Sequence, residues 1–307
     1  MPLVNHIHET IGNTPLIELK SFRQPNGTKI YAKLEYFNPG GSVKDRLGQA
    51  IVEDALLTGK LKKGGTIIEP TAGNTGIGLA LAAQKYQLQV IFCVPEKFSI
   101  EKQELMKALG AEIVHTDSSL GMQGAVEKAK ALQQQSPDSY LPQQFENPIN
   151  PYAYYQSLAP ELWGDLNGVI DIFIAGAGTG GTFAGTAKYF KEKKDQIKTV
   201  IVEPEGSIIG GGKPGPHKTE GIGMEVIPPY MNENHFDDIY TVSDQDAFNY
   251  VTVLGKREGL LVGSSSGAAM YAAVQEAKKA GANTNIVTVF PDSSERYLSK
   301  KIYQGGI

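Results

Sequence analysis

The stretch "DIFIAGAGTGGTFAGTAKYF", residues 171–190, decides the fold. An apolar run ends at Gly176, the glycines that follow complete the pattern G-x-G-x-x-G, and a helical pattern begins directly after them. A strand, a glycine-rich turn and a helix in this order are typical of a dinucleotide-binding unit. Glu203 lies about twenty residues further on, where such a unit places its ribose-binding acid. The stretch therefore predicts a turn that holds a phosphate, but it does not name the molecule that carries the phosphate.

The same alternation of strand and helix runs along the chain and predicts an α/β fold with mainly parallel sheets, covered by helices on both faces. The apolar runs that we interpret as strands are 29–36, 65–70, 88–95, 112–116, 171–176, 199–204, 259–264 ("GLLVGS") and 285–291. The segments with helical spacing of apolar residues are 45–59, 76–86, 99–110, 124–135, 182–194, 244–259 and 267–281.

Two segments resemble each other and indicate two Rossmann-like, three-layer domains. Residues 66–86 and 171–190 each read as a strand, a glycine-rich turn and a helix of small residues. We expect a smaller domain at 37–147 and a larger one formed by 1–36 and 148–307, with the boundary in "QQFENPINP". Ligands of open α/β sheets bind at the carboxyl ends of the strands, so we expect both turns to line one cleft.

Composition excludes several classes of protein. The chain has 307 residues, 41% of them hydrophobic, and a net charge of −4, which gives no basic excess for binding nucleic acid. No apolar run is long enough to cross a membrane, and the first residues carry no secretory signal pattern. The one cysteine, Cys93, excludes an intrachain disulfide framework. We therefore expect a cytoplasmic protein.

The segment "NPGGSVKDRLG", residues 38–48, contains a lysine that could be a nucleophile. Ser42 and Asp45 have the spacing of a capping box, which puts Lys44 in the first turn of a helix. A cation there opposes the helix macrodipole, which favours the neutral amine that forms a Schiff base. From this segment alone, a solvated lysine beside Asp45 is the simpler interpretation.

Three further strand ends carry polar clusters. Thr71, Asn74 and Thr75 lie in "EPTAGNTGIGLA", and Thr179 and Thr182 lie among the glycines of the first stretch. Backbone N–H groups and hydroxyls at a helix start suit a carboxylate or a phosphate.

The third cluster is a triple serine, residues 264–266, that has two possible interpretations. Gly263, Ser265 and Gly267 match a nucleophile elbow, but a hydrolase also needs a histidine, for which His217 is the only candidate in a strand-end segment. A metal site at His6 and His8 has no third ligand nearby.

The ordered set of motifs resembles a known family over nearly the whole chain. The motifs are "IGNTPL", "NPGGSVKDR", "EPTAGNTGIGLA", "PEKFSIEKQELMKALGAEIV", "GAGTGGTFAG", "GGKPGPHKTEGIG", "GLLVGSSSGAA" and "ERYLS". They are similar to the pyridoxal-phosphate β-replacement enzymes, namely the cysteine synthases (O-acetylserine sulfhydrylases) and the catalytic core of cystathionine β-synthase. The resemblance implies the tryptophan synthase β-like fold of fold type II pyridoxal 5'-phosphate (PLP) enzymes, and it favours the nucleophilic interpretation of Lys44.

The resemblance also implies roles for individual residues. Lys44 would bind the cofactor covalently and carry the Cα proton, Asn74 would bind the 3′ oxygen, and Ser265 would face the pyridine nitrogen. The implied phosphate loop is Gly178, Thr179, Gly180, Gly181 and Thr182, and the implied substrate residues are Thr71, Ala72, Asn74, Thr75, Gln144 and Gly221. The family usually has serine where this chain has Ala72, so a contact there is expected only through the backbone.

The implied reaction replaces the β-substituent of O-acetyl-L-serine, or of L-serine, through an α-aminoacrylate. The motif "GGKPGPHK" resembles the cysteine synthases, whereas "EPEGS", Tyr155 and "PDS" at 291–293 are closer to cystathionine β-synthase. We therefore expect both sulfide and homocysteine as thiols, in a homodimer without metal. The alternatives are a strict cysteine synthase, an NAD-dependent dehydrogenase and a non-catalytic binding protein.

Overall fold

The computed structural model describes residues 3–96, 98–231 and 236–303 and divides into two compact units. Unit 1 comprises Met1–Ile11 and Asn38–Asn150, and unit 2 comprises Gly12–Phe37 and Pro151–Ile307. The segment before Gly12, which we expected in the larger domain, clusters with unit 1. There the ring nitrogen Nε2 of His8 lies 2.7 Å from the carbonyl oxygen of Leu81.

The strands of the described residues, in chain order, are β1 (Leu16–Glu18), β2 (Lys29–Leu34), β3 (Thr66–Pro70), β4 (Gln89–Pro95), β5 (Glu112–Thr116), β6 (Ser139–Tyr140), β7 (Ile172–Gly176), β8 (Lys198–Pro204), β9 (Asp238–Val242) and β10 (Asn285–Phe290). The α-helices are α1 (Lys44–Leu57), α2 (Asn74–Lys85), α3 (Ile100–Ala108), α4 (Gly121–Gln135), α5 (Ile149–Gln156), α6 (Leu158–Asp165), α7 (Gly181–Lys193), α8 (Asp244–Glu258) and α9 (Ser264–Lys279).

Unit 1 is built on a four-stranded parallel sheet with the order β5-β4-β3-β6. Helix α4 packs Ala125 and Ala129 against Ile68 and Cys93, so the cysteine is a buried core residue as expected. Helix α2 is rich in alanine and leucine and is buried from Thr75 to Ala83. The carboxyl end of β3 therefore leads directly into a buried helix start.

Unit 2 is built on a six-stranded sheet with the order β1-β2-β10-β7-β8-β9, parallel except for β1. Strand β7 is apolar and mostly buried, as the opening stretch predicts, and it pairs with both β10 and β8. Ile172, Ile174, Val200 and Val202 contribute to one core that also contains residues of α8 and α9. Together the two sheets confirm the α/β prediction.

One predicted strand is wrong, and some elements of the structure were not predicted. The run "GLLVGS" forms no strand, because only Val262 makes an isolated antiparallel bridge, to Ser293. Strand β9 was missed, since its residues are mostly half-exposed at the edge of the sheet. Helices α5 and α6 were also missed; α5 begins within the segment where we placed the boundary, and α6 follows it. Among the described residues, no helix is long and apolar enough to cross a membrane.

Helices α1 and α2 touch through their backbones at two glycines. A Cβ atom on Gly48 would lie 2.2 Å from the carbonyl carbon of Gly78, and one on Gly78 would lie 2.3 Å from the carbonyl oxygen of Lys44. Both distances are far below van der Waals contact, so neither position accepts a side chain unless the helices separate.

We expect Gly48→Ala to lower the free energy of unfolding by about 1–3 kcal/mol, because overpacking pushes the two helices apart. Gly164→Ala is the matched control, since Gly164 lies in α6 and a Cβ there meets no atom within 4 Å. In the control, alanine should be neutral or stabilise by up to about 1 kcal/mol. Urea unfolding of both variants measures the difference. Equal effects would contradict the proposal that α1 and α2 need glycine where they touch.

Candidate active site

Lys44 is the first residue of α1, as the sequence predicts, but the cap differs from the predicted capping box. The cap residue is Val43 rather than Ser42. The Ser42 hydroxyl accepts from the N–H of Lys44 at 3.2 Å, and the Asp45 carboxylate accepts from the N–H of Gly40 at 2.5 Å. Asp45 thus fixes the loop before the helix at Gly40.

The main chain of Lys44 lies against α2. The carbonyl oxygen of Lys44 occupies the space where Gly78 would carry a side chain, one helical turn after Asn74. Helix α2 therefore holds the backbone of Lys44 in place. The start of α2 lies in the polar segment "EPTAGNTGIGLA" described in the sequence analysis.

The predicted substrate residues of unit 1 lie around the end of β3 and the start of α2. Thr75 donates its hydroxyl proton to Oε1 of Gln144 at 2.7 Å, and both side chains are buried. Thr71 is also buried, and its hydroxyl accepts from the N–H of Gly73 at 3.3 Å. We call Thr71, Ala72, Asn74, Thr75 and Gln144 the carboxylate cradle, because a helix start with hydroxyl and amide groups suits that anion.

Glu69, the residue before the last one of β3, was not identified as a site residue in the sequence. It is 1% exposed, and its two oxygens accept from the N–H groups of Gln143 and Gln144 at 2.9 and 3.1 Å. Burial raises the pKa of its carboxyl to about 7, although the two backbone hydrogen bonds oppose this shift. The strand end therefore holds the loop that carries Gln144.

In unit 2, the predicted phosphate loop joins β7 to α7. Gly180 caps the helix with φ +81°, a left-handed conformation that favours glycine. Thr179 and Thr182 are each 8% exposed, beside the start of α7. Two threonines and the first N–H groups of a helix are suitable donors for a phosphate dianion.

Two other segments of unit 2 meet this loop. A Cβ on Gly178 would lie 2.2 Å from the carbonyl oxygen of Gly221, and Gly223 donates its N–H to Ala177 at 2.9 Å. A Cβ built on Gly221 would lie 3.9 Å from the hydroxyl of Ser265. The structure thus brings together all the predicted site residues of unit 2.

Long-range contacts around these segments were not predictable from local sequence patterns. The Tyr230 hydroxyl donates to the carbonyl of Thr179 at 2.7 Å, inside the phosphate loop. The N–H of Gly263, which caps α9, donates to the carbonyl of Asp292 at 3.0 Å, and the Asp292 carboxylate accepts from Tyr297. Tyr230 lies far along the chain from Thr179, and Asp292 lies far from Gly263, so no local pattern pairs these residues.

Glu203 does not provide the acid that a dinucleotide needs. It is 1% exposed, and its oxygens accept from the N–H groups of Ile209 and Gly210, both at 3.0 Å, and from the Thr241 hydroxyl at 2.9 Å. A ribose hydroxyl would have to displace these donors, which argues against the dehydrogenase interpretation.

The hydrolase interpretation also lacks support. The serine cluster follows no strand, which a nucleophile elbow requires, and Nδ1 of His217 is already 2.8 Å from the carbonyl of Thr219. Within the described ranges, no three histidine, cysteine, aspartate or glutamate side chains group together as a metal site would require.

Comparison with known proteins identifies the family. Residues 7–292 match the family described as "Pyridoxal-phosphate dependent enzyme". The chain is 62% identical to the O-acetylserine dependent cystathionine beta-synthase of Bacillus subtilis over 307 residues, which is 100% of both chains. It is 53% identical to a cysteine synthase of Helicobacter pylori, over 99% of this chain and 100% of that one.

A solved structure agrees with these relatives. The crystal structure of the O-acetylserine dependent cystathionine beta-synthase from Helicobacter pylori superposes with a TM-score of 0.94 at 53% identity, and the alignment covers 99% of this chain and 100% of that one. The resemblance that the sequence motifs indicate is therefore confirmed.

We expect Gly178→Ala to weaken the binding of pyridoxal phosphate by about tenfold or more, because the added methyl group collides with Gly221 and distorts the loop. Equilibrium dialysis against the free cofactor measures the dissociation constant. Gly164→Ala is again the control for a glycine-to-alanine change away from this loop, and it should bind the cofactor like the unaltered protein. Unchanged binding by Gly178→Ala would contradict the assignment of this loop.

Proposed function

The chain belongs to the family of pyridoxal-phosphate dependent enzymes, and we propose that it replaces the β-substituent of O-acetyl-L-serine with a thiol. The observation that carries this proposal is the arrangement in unit 1. There a lysine opens α1, and the backbone of that lysine is packed against the helix whose start forms the carboxylate cradle. The reaction of an amino-acid substrate needs both a lysine that reaches its Cα proton and a fixed partner for its carboxylate.

The residues present are chemically suited to pyridoxal phosphate. We propose that Lys44 holds the cofactor covalently, that Asn74 binds the oxygen on its ring, and that the phosphate lies at residues 178–182. The tight contact of Gly178 with Gly221 supports the loop assignment, since no side chain would fit there. Ser265, 4% exposed at the start of α9, is our candidate for the pyridine nitrogen.

The protein groups then have separate tasks. When bound, the cofactor supplies an electron sink that acidifies the Cα proton and allows a leaving group to depart from Cβ. Lys44 takes that proton at its amine nitrogen and later returns it. The cradle fixes the substrate carboxylate with hydroxyl, amide and backbone groups that are already in place. A neutral serine at the pyridine nitrogen gives a weaker sink than a carboxylate would, which suits chemistry at Cβ.

We expect Lys44→Ala to lose the covalent cofactor link and at least about a thousandfold in kcat, since no other group is assigned to the proton at Cα. Borohydride reduction followed by peptide mass mapping should label Lys44 in the unaltered protein and nothing in the variant. Lys60→Ala, an exposed lysine in the same unit, is the control and should keep both label and activity. A reducible cofactor that persists in Lys44→Ala would contradict the assignment.

For the thiol, we propose that the protein accepts homocysteine as well as sulfide. The support is the mixture of sequence motifs and the names of two relatives, an O-acetylserine dependent cystathionine beta-synthase and a cysteine synthase. L-Serine in place of O-acetyl-L-serine is the second candidate substrate, although acetate is the better leaving group.

With O-acetyl-L-serine, we expect cystathionine from homocysteine and cysteine from sulfide, both identified by mass spectrometry of the products. Rates should be measured with the two thiols at equal concentration and compared with L-serine as the first substrate. Cysteine without any cystathionine would instead establish a strict cysteine synthase. No product from either thiol would contradict the proposed β-replacement.

We also propose that the protein works as a homodimer in the cytoplasm. The support is the family resemblance for the dimer and the single, buried Cys93 for a reducing compartment. Sedimentation at several concentrations tests the first proposal, and fractionation of the source cells tests the second.

A further inference from the structure

We propose that Glu69 is a positioning residue for the amino-acid substrate: its carboxylate holds the backbone of Gln143 and Gln144, so that the Gln144 side chain keeps its place in the carboxylate cradle. This inference rests on the proposed function. It deepens that function by assigning a role to a group that lies outside the cradle and touches neither cofactor nor substrate in the proposed mechanism.

The first support is the way in which Glu69 is held. Its side chain is 1% exposed, and each of its oxygens accepts one backbone N–H. The donors are Gln143 and Gln144, which lie 74 and 75 positions further along the chain. A buried carboxylate without a cation is costly unless it is hydrogen-bonded, so the two N–H groups and the carboxylate depend on each other. Glutamine could accept only one of them and would turn an NH₂ group towards the other.

The second support is the backbone that Glu69 fixes. Gln143 has φ +52°, a left-handed conformation that is uncommon for a residue with a side chain and that persists only where its surroundings hold it. The next residue, Gln144, has its N–H bound to Glu69 and its carbonyl bound to the Asn150 amide at 2.8 Å. Its main chain is therefore held on both sides.

The third support is the connection to the cradle. The side-chain oxygen of Gln144 accepts from the Thr75 hydroxyl at 2.7 Å, and Thr75 lies in the first turn of α2. A continuous chain of hydrogen bonds thus runs from Glu69 through Gln144 to Thr75. Loss of the first link releases the loop, and the cradle then has to be ordered by the substrate itself, which weakens binding and leaves the chemical step intact.

The test compares Glu69→Gln with the unaltered holoenzyme. We expect the KM for O-acetyl-L-serine to rise about tenfold, with kcat within about threefold, because the substrate loses uniform binding. In the Gln144→Ala background, the same change should raise KM by less than about twofold, since Glu69 acts through that side chain. An equal factor in both backgrounds, or a fall in kcat at constant KM, would overturn the proposal.

A second readout does not depend on the reaction. Hydrogen exchange of the peptide that contains residues 141–147 should accelerate in Glu69→Gln, while exchange elsewhere in unit 1 stays unchanged. Unchanged exchange in this peptide would overturn the proposal. If the unaltered protein fails to turn over O-acetyl-L-serine, the proposed function fails, and the exchange experiment still decides whether Glu69 holds the loop.

Two controls separate positioning from stability. Tyr240→Phe removes a 2.6 Å hydrogen bond to Glu276 in unit 2, so it should lower stability and leave KM unchanged. A KM shift in Tyr240→Phe as large as that in Glu69→Gln would overturn the proposal.

If Glu69→Gln does not fold, Glu69→Asp keeps the charge with a shorter reach and should show the same pattern at a smaller size. A KM and an exchange rate in Glu69→Asp that both equal those of the unaltered protein would be the contrary result.

Discussion

The contact between α1 and α2 at Gly48 and Gly78 is the constraint on which the candidate site of unit 1 depends. The carbonyl of Lys44 is itself part of this contact, and Asn74 lies one turn before Gly78 on the same helix. A single methyl group at the crossing would separate the lysine from the start of α2. Protein interiors are close-packed, so such a change is transmitted as a shift of backbone and not absorbed in empty space.

Both units use a Glu-Pro sequence at a strand end to hold a loop, which is remote in sequence in unit 1 and follows the strand directly in unit 2. Glu69 closes β3 and Glu203 closes β8, both are buried, and each accepts two successive backbone N–H groups. In unit 1 the held loop carries Gln144, and in unit 2 it begins the segment that leads to Gly221. Loops that bind ligands gain accuracy when rigid elements support them, and here the support is the end of a parallel strand.

The sequence was sufficient where the signal is local. The turn between β7 and α7, the start of α2 and the position of Lys44 follow from neighbouring residues, and the structure has them as predicted. It was insufficient where burial and pairing are settled by distant residues. Val262 is buried but makes only an isolated bridge and belongs to no strand. In contrast, β9 pairs with β8 along its length, although its residues are mostly half-exposed. The partners of Glu69 are equally remote, and no periodicity points to them.

The G-x-G-x-x-G pattern could not identify the ligand, because it describes how a turn presents N–H groups to any phosphate. A dinucleotide would need an acid at the next strand end with free acceptor capacity. Glu203 stands at that position in the sequence, yet its carboxylate binds Ile209, Gly210 and Thr241. The same residue that suggests a ribose site in the sequence is therefore a structural anchor in the fold. The close approach of Gly221 to Gly178 explains the glycine at this position whatever ligand the turn holds, because it leaves the loop no room for a side chain.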